Sequence, residues 1–212
     1  AYEISLCLVG SEMFIRDSNY AGSLRKMTHI AFEEAVFLDH ARDARIVDVI
    51  ECLLGSDIVL AQDQLFMKPP GGVEKPWHQD SAYFPLDPQV VVTCWTALDN
   101  VTLENGCMHV IVGSHRAGII DHSQEWMIGA RRDMKVPDAM IDENRTRAIT
   151  LSAGGCSFHH GILLHRSGPN HTGQSRRGLA VHYIPGNCRW ICLLYTSDAA
   201  DERSSVDLGG RR

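Results

Sequence analysis

Between residues 57 and 184 the chain reads as a succession of short β-forming runs broken by turn signals, and few folds accept that pattern. The runs cover residues 57–68, 90–98, 109–112, 148–151, 156–160 and 178–184, with turn signals at Asn105-Gly106, Ala153-Gly154-Gly155 and Gly168-Pro169-Asn170. Asn105-Gly106 is the pair expected of a hairpin turn. A helical preface stands before them. Ile46, Val47, Val49, Ile50, Leu53 and Leu54 recur at helical spacing, so one amphipathic helix is expected over residues 39–54, with Asp39 as N-cap and Gly55 in a left-handed C-cap. Many short strands after a helical preface point to a mainly β architecture with a helical N-terminal part, a jelly roll or related barrel.

Alternation along residues 57–68 sorts Ile58, Leu60, Gln62, Gln64 and Phe66 to one side and Val59, Ala61, Asp63, Leu65 and Met67 to the other. A polar pair within an otherwise apolar face suits the lining of a wet pocket. Residues 124–144 are polar and without a clean period, and read as a long insert over the mouth of such a pocket.

The chemistry concentrates in Trp77-His78-Gln79-Asp80-Ser81. Residues i and i+2 of an extended segment point the same way, so the His78 imidazole and the Asp80 carboxylate can grip one cation. His165, 85 positions after Asp80, supplies a second imidazole from a distant strand. Two nitrogens and one carboxylate on one face, with the opposite positions open, are the ligand set of non-haem Fe(II) oxygenases. The chain has 11 histidines, and a lone one is more often a surface or hydrogen-bonded core residue. His29, His40 and His122 lack a carboxylate two residues away. His159 and His160 alternate faces, so one of them is placed to enter the cavity and hold a ligand rather than be one. His115, in Gly113-Ser114-His115, belongs to a tight bend. Eleven residues beyond His165, Arg176 offers a planar fork able to hold a distal carboxylate through two charge-assisted hydrogen bonds, and 2-oxoglutarate is the natural candidate. Arg177 could substitute by register, since alternation lets only one of the pair point inward.

Composition narrows the partners. The 212 residues, 44% hydrophobic, suffice for one domain with a real core. A net charge of -6, with Lys and Arg scattered in ones and twos, leaves no basic stripe, so neither nucleic acid nor an anionic membrane is an expected partner. Seven cysteines with no CxxC pair fit reduced thiols and a cytoplasmic location. The sequons at Asn100, Asn144 and Asn170 read as chance matches. Both termini differ in character from the middle and resemble translated sequencing adaptor. The expected organisation is therefore a non-native leader over residues 1–18, one domain over 19–191 incomplete at both ends, and a non-native tail over 192–212.

Several segments together resemble the phytanoyl-CoA dioxygenase family of Fe(II)- and 2-oxoglutarate-dependent oxygenases. They are Lys68-Pro69-Pro70, Lys75-Pro76-Trp77-His78-Gln79-Asp80, Tyr83-Phe84-Pro85, Trp95-Thr96-Ala97-Leu98, Glu104-Asn105-Gly106-Cys107, Gly113-Ser114-His115 and His165-Arg166-Ser167-Gly168 through Arg176. The resemblance implies a truncated double-stranded β-helix of cupin-like form, in which His78, Asp80 and His165 bind Fe(II) and Arg176 binds 2-oxoglutarate, with Gln64, Trp95 and Ser167 bordering the cosubstrate. It implies an O2-consuming hydroxylation of a C–H bond in a small molecule or acyl-CoA-like substrate, with release of succinate and CO2. The carboxylate at Asp80 favours hydroxylation over halogenation. The alternative is a cupin-like barrel that binds Zn(II) or Mn(II) as an isomerase or non-catalytic sensor, which would not need Arg176.

Overall fold

Alternation along the central strands builds the molecule outward from a cavity. The computed structural model describes residues 14–17, 23–128 and 131–191. Its larger sheet has six antiparallel strands in the order β1 (Phe14–Asp17), β2 (Ser23–Thr28), β3 (Ile58–Lys68), β13 (Arg176–Pro185), β6 (Val92–Ala97) and β11 (Cys156–His160). The smaller sheet runs β10 (Thr146–Ile149), β7 (Met108–Ile111), β12 (His165–Ser167) and β4 (Lys75–His78). Two-stranded ribbons join β14 (Arg189–Trp190) to β5 (Leu86–Asp87) and β8 (Gln124–Ile128) to β9 (Arg131–Lys135). The two main sheets face each other across a cavity of about 470 Å³. This is the double-stranded β-helix, a jelly roll.

On the larger sheet, Val92 and Cys94 of β6 and Leu179, Val181 and Tyr183 of β13 turn outward into a core cluster. Their neighbours Thr93, Trp95, Ala180 and His182 line the cavity. The outward apolar face is covered by two helices, α1 (Ala35–Ala41) and α2 (Ala44–Leu54). The single helix expected over residues 39–54 is thus broken at Arg42 and Asp43. Asp43, not Asp39, caps the second helix, its carboxylate accepting from the Arg45 N–H at 2.9 Å. Gly55 does have positive φ, 91°, but its ψ of 179° is extended rather than left-handed. Ile46 and Ile50 lie one turn apart and are buried against the sheet, while Val49 and Leu53 face solvent. Burying each isoleucine contributes roughly 1.5–3 kcal/mol. The Tyr183 hydroxyl donates to the Ala41 carbonyl at 2.8 Å and ties the helical layer to the middle of the sheet.

The expected sorting of β3 is corrected by a bulge. Leu60 pairs with Tyr183 but Gln62 with His182, so Ala61 is an extra residue on β3. Before it, Ile58 and Leu60 face the helices; after it, Gln62, Gln64 and Phe66 face the cavity and Asp63 and Leu65 the helices. Asp63 is buried there, its carboxylate accepting from the N–H groups of Ile30 and Ala31. Asn105-Gly106 is likewise not a hairpin turn, because it joins β6 to β7 in the other sheet. Gly106 has φ 82°, and a Cβ there would stand 2.3 Å from the Gly168 carbonyl.

The insert over residues 124–144 is the β8–β9 ribbon followed by short 3-10 turns at Asp138–Met140 and Glu143–Arg145. Its Asp133 reaches the cavity. Phe14–Asp17 pairs with β2. The proposed leader otherwise, and the whole of 192–212, lie outside the described residues. Among the described residues no helix is long and apolar enough to cross a membrane. Asn170 is buried, and its amide donates to the carbonyls of Lys68, Pro69 and Gln174, so that sequon serves the fold.

Candidate metal and cosubstrate site

His78 ends β4 and His165 begins β12, and the two are directly paired in the ladder of the smaller sheet. Gln79 continues extended, with φ -119° and ψ 132°, before the chain turns at Asp80 into a 3-10 turn. The separation of two residues therefore puts the Asp80 carboxylate on the side of the His78 ring. One donor atom from each of His78, Asp80 and His165 lies within 4.8 Å of the others, the arrangement expected from the sequence. Asp80 Oδ1 stands 3.6 Å from His78 Nε2 and 3.4 Å from His165 Nε2. Two metal bonds of about 2.1 Å at angles near 90–110° separate their donor atoms by roughly 3.0–3.4 Å, so a cation fits with little adjustment.

The backbone selects the tautomers. His78 Nδ1 donates to the Pro76 carbonyl at 2.8 Å and His165 Nδ1 to the Leu163 carbonyl at 2.9 Å, which leaves both Nε2 lone pairs facing the shared point. Burial holds the His78 pKa well below its ordinary value, helped by His165 and Lys75. Burial also opposes charge on Asp80 and on His165, but their mutual attraction prevails, holding Asp80 well below and His165 above its usual range. Ligation needs both groups deprotonated, so protons compete with a cation for this point.

Across the cavity, Arg176 begins β13. It is only 4% exposed, its Nη2 donates to the Gly106 carbonyl at 2.9 Å, and its guanidinium lies 5.4 Å from the Trp95 ring centre. Gly178, two residues on, makes room for that indole: a Cβ there would meet Trp95 Cζ2 at 2.1 Å. Burial lowers the Arg176 pKa to about 10, so it remains charged at neutral pH. No carboxylate pairs with it among the described residues, and its Nε has no hydrogen-bond partner. A buried cation without a counter-charge is costly unless an anion enters. Arg177 faces outward and is held by Asp99 at 2.6 Å, which settles the register between the two arginines.

Gln64, Trp95 and Ser167 all line the cavity. The Gln64 amide donates to Gln62 Oε1 at 2.7 Å, and Ser167 Oγ accepts from Lys68 Nζ at 2.9 Å. His160 and His115 stay outside the donor set, whereas His159 enters the cavity and lies 3.3 Å from Asp80 Oδ2. Sequence reasoning missed Thr93 and His182, which also line the cavity, and the lysines Lys26 and Lys68. For Thr93, Lys68 and His182 alternation within β-forming runs was the advance signal, whereas Lys26 lies in β2, which no expected run covered. At the mouth, Lys75 Nζ and the Tyr83 hydroxyl both donate to Asp133 of β9, the latter at 2.8 Å.

Fold and site together define a double-stranded β-helix carrying a His-Asp-His donor set that faces a buried arginine. The phytanoyl-CoA dioxygenase family model matches residues 14–178, and the chain belongs to that family. Among its relatives, the peroxisomal phytanoyl-CoA dioxygenase of Homo sapiens is 28% identical over 205 residues, 93% of this chain and 61% of that protein. The probable alpha-ketoglutarate-dependent hypophosphite dioxygenase of Stutzerimonas stutzeri is 33% identical over 156 residues, 72% of this chain and 54% of its own. The chain thus spans about three fifths or less of these relatives' length. Among solved structures, the non-heme monooxygenase ThoJ superposes with a TM-score of 0.63 at 32% identity, covering 80% of this chain and 59% of that one.

Proposed function

We propose that this chain is the catalytic barrel of an Fe(II)- and 2-oxoglutarate-dependent dioxygenase that hydroxylates a C–H bond of a small molecule or acyl-CoA-like substrate, releasing succinate and CO2. The observation that carries this reading is the pairing, in one cavity, of a three-donor face with a buried guanidinium that no carboxylate pairs directly among the described residues and whose Nε has no hydrogen-bond partner. A metal-binding isomerase or sensor would not require that cation.

In this reading His78, Asp80 and His165 hold the iron, and Arg176 holds the far carboxylate of 2-oxoglutarate. The bound iron supplies O2 activation coupled to decarboxylation of the oxo acid. The chain supplies position and dryness. His78 and His165 present fixed lone pairs, and the flat Trp95 wall sets where the guanidinium fork stands. Gln64 and Ser167 border the cosubstrate. The substrate enters past Tyr83, Lys75 and Asp133. The proposed domain runs over residues 19–191. The five described cysteines are free, in keeping with a reducing, cytoplasmic location, although the curated mammalian relatives are named as peroxisomal.

Anaerobic addition of Fe(II) and 2-oxoglutarate tests the reading. A weak visible charge-transfer band is expected, and its absence from folded, metal-loaded protein rules the assignment out.

A further inference from the structure

We propose that His159 is a positioning residue for the metal-binding carboxylate, acting with Thr93 and His182 as one rung of the larger sheet that grips the outer oxygen of Asp80. The inference rests on the assignment of His78, Asp80 and His165 as metal donors and extends it to a residue that touches no metal position.

Asp80 divides its two oxygens between the sheets. Oδ1 faces the ring nitrogens of His78 and His165, while Oδ2 lies 3.3 Å from His159 Nε2 and 3.1 Å from Thr93 Oγ1. An ionised carboxylate only accepts, so both neighbours donate: the Thr93 hydroxyl gives its proton to Oδ2, and His159 is the Nε2–H form. Thr93 Oγ1 must then accept, and it does so from His182 Nδ1 at 2.9 Å. The direction of every bond follows from that one carboxylate.

The three donors share a rung. His159 is the register partner of Thr93 across β11 and β6, and Thr93 is the partner of His182 across β6 and β13. Strand pairing thus fixes their spacing, and all three are buried. The side chain they hold comes from the end of the opposite sheet, so the rung is a strut across the barrel. Its effect is to stop the carboxylate from turning. With Oδ2 held by two donors, Asp80 offers the metal one oxygen; freed, it could swing to chelate through both and occupy a position that cosubstrate or O2 requires. The two donors also hold the carboxylate in its binding orientation before a metal arrives, so less freedom is lost on ligation and affinity rises.

Three variants test this. His159→Phe keeps the volume and removes the donor, His159→Gln returns an N–H near the Nε2 position, and His159→Asn returns one too short to reach. Metal-free protein is titrated with Co(II), following affinity and the visible d–d spectrum, with melting of the metal-free protein measured alongside. The Phe and Asn variants are expected to bind Co(II) roughly 10–100-fold more weakly and with an altered spectrum. The Gln variant is expected within a few-fold of wild type. Wild-type affinity and spectrum in the Phe variant overturn the proposal. If the Phe variant does not fold, equal behaviour of Asn and Gln overturns it. A control separates the two levels of inference: if Asp80→Ala binds Co(II) like wild type, the metal assignment itself falls and takes this proposal with it. If Asp80→Ala abolishes binding and His159→Phe changes nothing, the positioning role alone falls.

Discussion

The interior of the cavity and its mouth are built from similar residue types but are held in different ways. Inside, the ring nitrogens His78 Nδ1 and His165 Nδ1 are tied to backbone carbonyls, and the outer oxygen of Asp80 is held by a rung of sheet. At the mouth, Tyr83 is 40% exposed, and its long side chain and that of Lys75 reach across to Asp133 on the two-stranded β8–β9 ribbon. Backbone-anchored donors cost little entropy to keep in place, whereas long exposed side chains lose rotamer freedom for each contact they make. The interior is therefore held more firmly than the mouth.

The largest expected test of that contrast is Arg176→Leu. Loss of the fork should weaken 2-oxoglutarate binding by roughly 10–100-fold, the equivalent of about 1.5–3 kcal/mol for charged hydrogen bonds, while Co(II) affinity stays at the wild-type value. Because the stranded buried charge is also removed, the melting midpoint without ligand should hold or rise. A parallel loss of metal affinity would show that the two ends of the interior are not independent. Asp133→Ala should act at the mouth alone, shifting the substrate KM by up to about five-fold with no change in metal or cosubstrate affinity. Changed iron binding in that variant would erase the distinction between the regions.

The smallest effect concerns Lys26, which lines the cavity from β2. Burial, with Arg25 and Lys75 nearby, pushes its pKa down to about 8 from the ordinary lysine value of 10.5. Between these values the unfolded chain binds more protons than the folded one, so this group makes stability rise as pH climbs through that window. Below pH 8 the penalty is complete. Lys26→Met should therefore be more stable than wild type at pH 7 in urea, with the gap narrowing as pH approaches 10. A gap independent of pH would mean that the ammonium is solvated in the folded protein.

Much of the fold was legible because period-two alternation and turn residues are local. The run over 156–160 coincides with β11, and the break after Lys68 falls at Pro69-Pro70. His78 and Asp80 were legible as a pair because an extended Gln79 fixes their common side. The helical layer was misjudged at one joint. Arg42 and Asp43 look compatible with a continuous apolar stripe, yet the Asp43 side chain caps the following N–H and restarts the helix. The side on which Gln62 and Gln64 stand was right only relative to Phe66. An extra residue at Ala61 reverses the face of Ile58 and Leu60, and no local signal marks it.

From its own letters the chain determined a succession of strands, a carboxylate two places from an imidazole, and a pair of arginines of which one had to point inward. Those features depend on spacing along a single backbone. Only the folded sheets decided that His165 sits opposite His78, that Arg177 is taken by Asp99 and leaves Arg176 buried, and that His159, Thr93 and His182 form one rung. The reason is physical: cross-strand register depends on bulges and on long-range hydrogen-bond pairing, which sets Pro185 of β13 opposite Ile58 of β3, 127 positions away, and no local pattern carries that information.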